Sequence, residues 1–222
     1  MLAKLLTEFA GTYVFLTVIA LSSPTGAFAP LVIGLALAAM VYMGGHVSGA
    51  HYNPAVSFGL LLRGVISPIT FGLYCAVQLI AGSFAFVVAF LISGNSGGIH
   101  PGTGVYWYSA LSAEIIFTVA LVLVVMNVAA TKETAGNSYY GLAIGLTVAC
   151  GAFVVGPISG GAFNPAVAFS ATLREVLFGN GTWSNLWIYF VGPLAGAALA
   201  AAIHQLQARP GPVTPESAER EA

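Results

Sequence analysis

The sequence predicts an all-α membrane protein: six transmembrane helices plus two half-helices that meet at the midplane of the bilayer, arranged as an inverted repeat. Three observations lead to this prediction. Hydrophobic residues make up 58% of the 222 residues and charged residues 6%, which would leave a soluble domain without a wettable surface. Six apolar segments are long enough to cross a bilayer. A short motif occurs twice, once in each half of the chain.

The predicted spans are residues 5–21, 31–49, 68–92, 109–130, 139–155 and 186–206. Three spans and one half-helix fall in each half, so the halves must enter the membrane from opposite sides, residues 1–92 forming one repeat and residues 105–207 the other. Residues 1–207 are thus predicted to form a single transmembrane domain, and the repeated motif described next predicts that it is a channel. Residues 208–222 are polar and contain proline, and we expect them to be a disordered cytoplasmic tail.

The repeated motif is Ser-Gly-Ala-His-Tyr-Asn-Pro-Ala-Val at residues 48–56 and Ser-Gly-Gly-Ala-Phe-Asn-Pro-Ala-Val at residues 159–167, 111 positions apart. Its glycines permit an irregular backbone, its asparagine can cap a helix, and its proline suits the first helical position, where no amide donor is needed. The apolar runs that follow, residues 55–62 and 166–173, are far shorter than the roughly 20 residues that span a bilayer. Each copy therefore predicts a half-helix, and paired half-helices are typical of a transport path.

Basic residues predict the orientation of the spans. With the N-terminus inside, Lys4, Arg63, Lys132 and Arg209 face the cytoplasm, whereas Arg174 faces outward. Cytoplasmic loops carry an excess of Lys and Arg, so both termini are predicted to be cytoplasmic. The predicted location is the inner (plasma) membrane of the cell, as a multi-pass protein.

The facing ends of the half-helices are predicted to form a central constriction. A helix N-terminus leaves backbone donors unsatisfied and carries a partial positive charge of about +0.5. If Asn53 and Asn164 face each other, each amide oxygen can cap its own helix while the amide nitrogen donates into a lumen. Such a site accepts a neutral molecule with an oxygen lone pair and repels a cation. The predicted constriction comprises Asn53, Pro54, Ala55, Asn164, Pro165 and Ala166.

The irregular segments before the half-helices, residues 45–52 and 156–163, are expected to line the path because bare peptide groups cannot face lipid. For His51 the sequence supports a lumen contact and a structural hydrogen bond equally, whereas for His46 it favours a structural hydrogen bond. The predicted lining residues are Gly49, Ala50, His51 and Gly160.

Glu8 and Glu114 lie within apolar spans, 45 and 50 positions before the asparagine of their half. A charged side chain near the bilayer centre costs about 2.5–3.5 kcal/mol and needs partners. We expect each carboxylate to accept hydrogen bonds from backbone donors of the irregular loops. The alternative, a proton relay, requires further ionisable groups along the path, and the sequence offers none.

Composition also argues against other classes of protein. A net charge of −1 provides no basic surface for nucleic acid. The sequence contains no nucleophile paired with a base, no phosphate loop and no metal-ligand cluster, so we predict no enzymatic activity, no metal and no cofactor. Cys75 and Cys150 fall in apolar segments, and we expect both to be buried.

The paired motifs, the two glutamates and the arrangement of six spans with two half-helices resemble the aquaporin and aquaglyceroporin family, the major intrinsic proteins, over about residues 2–207. The resemblance implies a passive homotetramer in the lipid bilayer, with one pore per subunit that passes small neutral solutes and water. It implies that Asn53 and Asn164 form the central constriction. It also places a second, outer filter at Ile33, Ala152, Gly161 and Val167.

This outer filter departs from the common pattern of the family. Most members have an arginine directly after the second Asn-Pro-Ala, where this chain has Val167, and the usual water-channel histidine is replaced by Ala152. Without a fixed positive charge, the opening is expected to be wide and apolar and to pass larger neutral polyols or undissociated acids. The chain is similar in this respect to the arsenic-linked bacterial aquaglyceroporins, some of which also lack the arginine. The alternative is that Arg174 refills the site.

The sequence leaves several functions open. The favoured one is a passive channel for glycerol-like polyols, arsenous acid and other metalloid hydroxides, together with water. The alternatives are a water-selective aquaporin and a closed-pore structural or adhesive membrane protein. An ion conductor is opposed by the paired positive helix ends.

Overall fold

The computed structural model describes residues 1–94 and 98–207, and the tail predicted for residues 208–222 lies outside the described residues. Within the described ranges the chain is helical and has no strand. Short 3₁₀ turns cover Ser23–Phe28 and Lys132–Thr134. The α-helices are α1 (Leu2–Leu21), α2 (Ala29–Ser48), α3 (Pro54–Leu62), α4 (Pro68–Ser93), α5 (Trp107–Ala129), α6 (Tyr140–Ser159), α7 (Pro165–Phe178) and α8 (Ile188–Gln207).

Among the described helices, the six named α1, α2, α4, α5, α6 and α8 are long and apolar enough to cross a membrane. Between 22% and 44% of the residues in each span are buried inside the chain, so most of the apolar surface faces outward, as it must when lipid is the solvent. The prediction of an all-α, multi-pass membrane protein is confirmed. Burial of both cysteines is not: Cys75 is half-buried and Cys150 is exposed, because an apolar span need not turn each apolar side chain inward.

The half-helices α3 and α7 begin where the motifs predict, but α7 is longer than expected. It has 14 residues and continues past the predicted end at residue 173 to Phe178. The prediction relied on loss of apolar character at Arg174, yet arginine and glutamate are good helix formers. Arg174 is itself buried, with its guanidinium 5.9 Å from the centre of the Phe90 ring.

The irregular segments are shorter than predicted. Helix α2 continues through Gly45 and His46 to Ser48, and α6 continues through Pro157 to Ser159. Each helix ends at a glycine in the left-handed region, Gly49 with φ 90° and Gly160 with φ 88°. The irregular chain is therefore limited to residues 49–53 and 160–164, immediately before the half-helices.

Helix packing follows the same pattern in both halves. Helix α1 packs on α2 and α4, and α5 packs on α6 and α8 in the same way. The half-helices cross over: α3 packs on α8 of the other half, and α7 packs on α4. The halves also meet along α2 and α6, and at the contact between α3 and α7. The bundle therefore encloses both half-helices and places their N-termini in its interior.

The contact between α2 and α6 depends on two glycines 111 positions apart. A Cβ on Gly34 would lie 2.5 Å from the Gly145 carbonyl oxygen and 2.6 Å from the Ala149 Cβ. A Cβ on Gly145 would overlap the Gly34 carbonyl oxygen in turn. Apolar side chains gain little by leaving lipid, so membrane helices associate through close packing of their backbones. Small residues such as these glycines permit that close approach.

Candidate functional site

The N-termini of α3 and α7 are capped by the two asparagines of the repeated motif. Asn53 Oδ1 accepts a hydrogen bond from Ala55 N at 2.8 Å, and Asn164 Oδ1 accepts one from Ala166 N at 2.9 Å. Both asparagines have extended backbones and precede a proline at the first helical position. The caps therefore form as the sequence predicts, because the side-chain oxygen satisfies a backbone donor that the helix itself cannot.

The same side chains join the halves. Asn53 Nδ2 donates to the Phe163 carbonyl oxygen at 2.8 Å, and Asn164 Nδ2 donates to the Tyr52 carbonyl oxygen at 2.9 Å. An amide nitrogen has two N–H groups, so each asparagine uses one across the interface and retains a second. The sequence interpretation, in which the amide nitrogens serve the lumen alone, missed this reciprocal link. The half-helix ends are consequently held at a defined separation.

The loops that lead into the half-helices adopt matching left-handed conformations. Non-glycine residues rarely take positive φ, so these conformations must be held by their surroundings. The matched pairs, each 111 positions apart, are Gly49 (φ 90°) with Gly160 (φ 88°), Ala50 (φ 51°) with Gly161 (φ 64°), and Tyr52 (φ 48°) with Phe163 (φ 50°).

Glu8 is fully buried and holds the first loop through its carboxylate. Its Oε1 accepts hydrogen bonds from Ser48 Oγ at 2.7 Å and from His51 N at 2.9 Å. Its Oε2 accepts from Tyr52 N at 2.8 Å and from Gln78 Nε2 at 2.9 Å. These partners are all donors, which is the arrangement that an ionised carboxylate satisfies.

Glu114 holds the second loop in the same way. Its Oε1 accepts from Ser159 Oγ at 2.8 Å and from Ala162 N at 3.1 Å. Its Oε2 accepts from Phe163 N at 2.7 Å. Ser48 and Ser159 are 111 positions apart, so both halves use the same serine and carboxylate pair to shape the chain before the asparagine.

Sequence reasoning missed several residues of this support. Tyr74 Oη donates to the Ser48 carbonyl oxygen at 2.8 Å, and Tyr189 Oη donates to the Ser159 carbonyl oxygen at 2.5 Å. Gln78, one turn after Tyr74, bonds to Glu8 and is fully buried. The available signal was one tyrosine in α4 and one in α8, but each lies within an apolar run where a tyrosine also suits packing.

Three cavities lie in series along the bundle. The Lys132-end cavity is lined by Lys132, His46, Gly49 and Ile144 among others. The central cavity shares Ile144 with it. The Ile99-end cavity shares Phe15, Val148 and Ala162 with the central cavity and is lined by Ile99 and Ser22 at its far end. Because neighbouring cavities share lining residues, the three are adjacent to one another between the two ends of the bundle.

The central cavity, where the asparagines are, is the smallest of the three. The central cavity has a volume of about 20 Å³, against about 480 Å³ and 190 Å³ for the Lys132-end and Ile99-end cavities. Asn53, Asn164, Ala50 and His51 line it. The other four predicted constriction residues are buried in the first turns of α3 and α7 and do not line this cavity. They are Pro54, Ala55, Pro165 and Ala166.

The two histidines of the first loop region differ. His51 lines the central cavity, and its Nδ1 lies 2.9 Å from Ser57 Oγ. It therefore combines both of the roles that the sequence left open. His46 is exposed on the last turn of α2 and lines the Lys132-end cavity, contrary to the structural role favoured from the sequence. The prediction placed His46 in the irregular loop, whereas α2 continues past His46 to Ser48.

The predicted outer-filter residues come together from three helices and one loop. The Ile99-end cavity is lined by Ile33 of α2, Ala152 of α6, Gly161 of the second loop and Val167 of α7. Gly160 lines the same cavity. Within the described residues, no charged side chain lines this cavity or the central cavity.

Arg174 does not refill this site. It is absent from the described residues that line the Ile99-end cavity, and it contacts the Phe90 ring instead. Its Nη2 lies 3.7 Å from Glu175 Oε1, and Glu175 Oε2 in turn lies 2.7 Å from His100 Nε2. In the described part of the chain, no group of three or more His, Cys, Asp or Glu could hold a metal ion.

Comparison with known proteins agrees with this architecture. A profile of the family described as Major intrinsic protein matches residues 1–204. Probable aquaporin TIP-type alpha of Phaseolus vulgaris is 36% identical over 217 residues, covering 90% of this chain and 83% of that protein. Aquaporin AqpM of Methanothermobacter marburgensis is 36% identical over 183 residues, covering 79% of this chain and 74% of that protein.

A solved structure supports the same fold. The X-ray structure of the aquaglyceroporin from Plasmodium falciparum superposes with a TM-score of 0.76 at 22% identity, covering 91% of this chain and 95% of that chain. At this identity the likeness concerns the fold alone. The family profile spans nearly the whole chain and the relatives exceed one third identity, so the chain belongs to the major intrinsic protein family, whose members are membrane channels and not enzymes.

Proposed function

We propose that this channel passes water and small uncharged solutes, including glycerol-like polyols and undissociated metalloid hydroxides such as arsenous acid. The observation that carries the proposal is the series of cavities that narrows at Asn53 and Asn164 and is uncharged from there to Val167. The relatives named above are described as aquaporins, which supports passage of water.

The electrostatics of the constriction oppose the passage of cations. The N-termini of α3 and α7 both point at the central cavity, and each contributes a partial positive charge of about +0.5. The described residues that line this cavity include no carboxylate to compensate these charges. A cation is therefore repelled there, whereas a neutral molecule with an oxygen lone pair can accept from the remaining amide N–H groups of Asn53 and Asn164.

The residues of the outer filter determine which solutes can enter the channel. Ile33 and Val167 present branched apolar side chains, and Ala152 and Gly161 present little or none. Such an opening lacks the strong donor that would select for water alone, and it offers apolar walls to the carbon face of a polyol. The assignment to the arsenic-linked bacterial branch remains a prediction, because the relatives named above are plant and archaeal aquaporins.

The decisive experiment measures permeability in proteoliposomes for water, glycerol and arsenous acid, with the unaltered chain and with Val167→Arg. We expect all three to cross the unaltered channel. Val167→Arg should lower glycerol and arsenous acid permeability far more than water permeability, because it narrows the opening and adds a cationic donor. Val167→Met is the matched control, since methionine is similarly long but uncharged.

Three outcomes contradict this proposal in different ways. Passage of water without glycerol or arsenous acid would identify a water-selective aquaporin. Permeability equal to that of empty liposomes, with folded protein present, would support the closed-pore structural alternative. An unchanged ratio of glycerol to water permeability in Val167→Arg would remove Val167 from the filter.

We further propose that the chain forms a homotetramer in the inner (plasma) membrane with both termini cytoplasmic. In the structure Arg63 Nε donates to His204 Nδ1 at 3.1 Å, and Thr131 Oγ1 lies 3.0 Å from His204 Nε2. Arg63 and the Lys132 loop, residues 130–139 between α5 and α6, therefore share one end of the bundle. That end is assigned to the cytoplasm by its basic residues. Accessibility of a single engineered cysteine at Lys132 to a membrane-impermeant reagent tests the orientation, and native mass spectrometry tests the subunit number.

A further inference from the structure

The Tyr52 side chain occupies a slot between α1 and α2, and Tyr52 also lines the central cavity. Its ring is fully buried, and a Cβ on Gly11 of α1 would overlap it. A Cβ on Gly44 of α2 would overlap its hydroxyl. Tyr52 Oη donates to the Met40 carbonyl oxygen at 3.0 Å. Met40 lies one turn before Gly44, so the missing side chain at Gly44 leaves that carbonyl open to the hydroxyl.

The main chain of Tyr52 is part of the constriction. Its carbonyl oxygen accepts the hydrogen bond from Asn164 Nδ2, and its N–H donates to Glu8 Oε2. Its φ of 48° is a left-handed conformation that a bulky residue adopts only when its surroundings hold it there. Moving the ring therefore moves the carbonyl that positions Asn164.

The equivalent residue of the other half performs the same main-chain task with a different side-chain contact. Phe163 donates its N–H to Glu114 and accepts from Asn53, but its ring has no hydroxyl. That ring packs on Phe117, with ring centres 5.6 Å apart, and against Gly151. Asn53 is thus positioned through the apolar packing of Phe163. Asn164 is positioned through the packing of Tyr52 together with the hydrogen bond of its hydroxyl.

We infer that Tyr52 is a positioning residue for the pore: anchored on the Met40 carbonyl between Gly11 and Gly44, it sets the location of Asn164 in the opposite half of the channel. The geometry predicts that loss of the hydroxyl displaces the Asn164 amide more than the Asn53 amide. Asn164 Nδ2 bonds directly to the Tyr52 carbonyl, whereas Asn53, although it follows Tyr52 in the chain, has its Nδ2 held by the Phe163 carbonyl. A residue with a merely structural role would instead loosen both asparagines together.

The test is solid-state NMR of the full chain in lipid, with ¹⁵N-labelled asparagine. Tyr52→Phe should shift the Asn164 Nδ2 resonance more than that of Asn53. Tyr42→Phe is the matched control, because Tyr42 Oη also donates to a backbone carbonyl, that of Ser138 at 3.0 Å, but away from the constriction. Neither resonance should move in the control.

Gly44→Ala examines the same contact from the helix side. The added methyl group should displace the tyrosine hydroxyl and shift the Asn164 resonance, and combining it with Tyr52→Phe should shift that resonance less than Gly44→Ala alone. If Tyr52→Phe does not fold, this variant still decides the question. In proteoliposomes, the ratio of water to glycerol permeability should change by about two- to tenfold in Tyr52→Phe, the range that one neutral hydrogen bond can contribute.

The inference is overturned if both asparagine resonances stay unchanged in Tyr52→Phe and Gly44→Ala, or if both shift equally. The flux readout rests on the proposed function, whereas the NMR readout does not. A channel that passes no glycerol but shows the selective shift would contradict the proposed solutes and support the role of Tyr52.

Discussion

Glu114→Gln should weaken the second loop while preserving the shape of the side chain. Glutamine matches glutamate in size, but one of its terminal atoms is a donor. Glu114 Oε1 accepts from Ser159 Oγ and Ala162 N, whereas Oε2 accepts from Phe163 N. The variant keeps the most bonds when its amide oxygen takes the Oε1 position. Its NH₂ group then faces Phe163 N, and two donors oppose each other.

The size of the effect follows from the bond that is lost. A hydrogen bond to a charged group contributes about 1.5–3 kcal/mol, and a buried donor left without an acceptor costs about 1–3 kcal/mol. Removing a buried charge from the membrane interior offsets part of this loss. We therefore expect the free energy of unfolding to fall by about 1–3 kcal/mol. Because the Phe163 carbonyl positions Asn53, water permeability should fall as well.

The assay compares Glu114→Gln with Glu133→Gln, the same chemical change at an exposed residue of the Lys132 loop. Unfolding is followed by denaturant titration in detergent, and permeability by stopped-flow light scattering of proteoliposomes. Glu133→Gln should stay within about 0.5 kcal/mol of the unaltered chain, as is usual for surface substitutions. Equal stability and equal permeability of the two variants would refute the assignment of Glu114 as the support of this loop.

Further predictions concern the constriction and the bundle. Asn164→Asp keeps an oxygen cap but places a negative charge between the two positive helix ends, so planar-bilayer recordings should show cation currents that the unaltered chain lacks; absence of current would weaken the electrostatic account of exclusion. Gly145→Leu should abolish the folded protein, because a Cβ there already overlaps the Gly34 carbonyl oxygen. Gly72→Leu should fold normally, as no heavy atom lies within 4 Å of its Cβ position; equal yields of monodisperse protein from the two leucine variants would contradict the packing argument.

The helices could be predicted from hydropathy because the bilayer demands long apolar spans with internally satisfied backbones. The ends of the helices could not be predicted where a residue lowers the apolar character of a segment without ending the helix. Arg174 lowers the apolar character of α7 but does not end the helix, and Pro157 does not stop α6. The sequence also could not show which apolar residues of a span face lipid and which face the protein interior, as Cys150 illustrates.

At the site, the motif predicted the asparagine caps because capping is a local interaction between residues two positions apart. The reciprocal bonds of Asn53 and Asn164 to the opposite loops join residues more than 100 positions apart and required the fold. The slot for Tyr52 likewise depends on glycines of two other segments. Local chemistry was thus readable from sequence, whereas contacts between the halves were not.

The central claim is that the paired half-helices enclose a path for uncharged molecules. Its most direct test is the osmotic water permeability of proteoliposomes containing the unaltered chain, measured over a range of temperatures and protein densities, with membrane current recorded in parallel. We predict a permeability that rises in proportion to protein density, with a lower activation energy than in empty liposomes and without ionic current. A permeability and activation energy equal to those of empty liposomes, with folded protein present, would contradict the account.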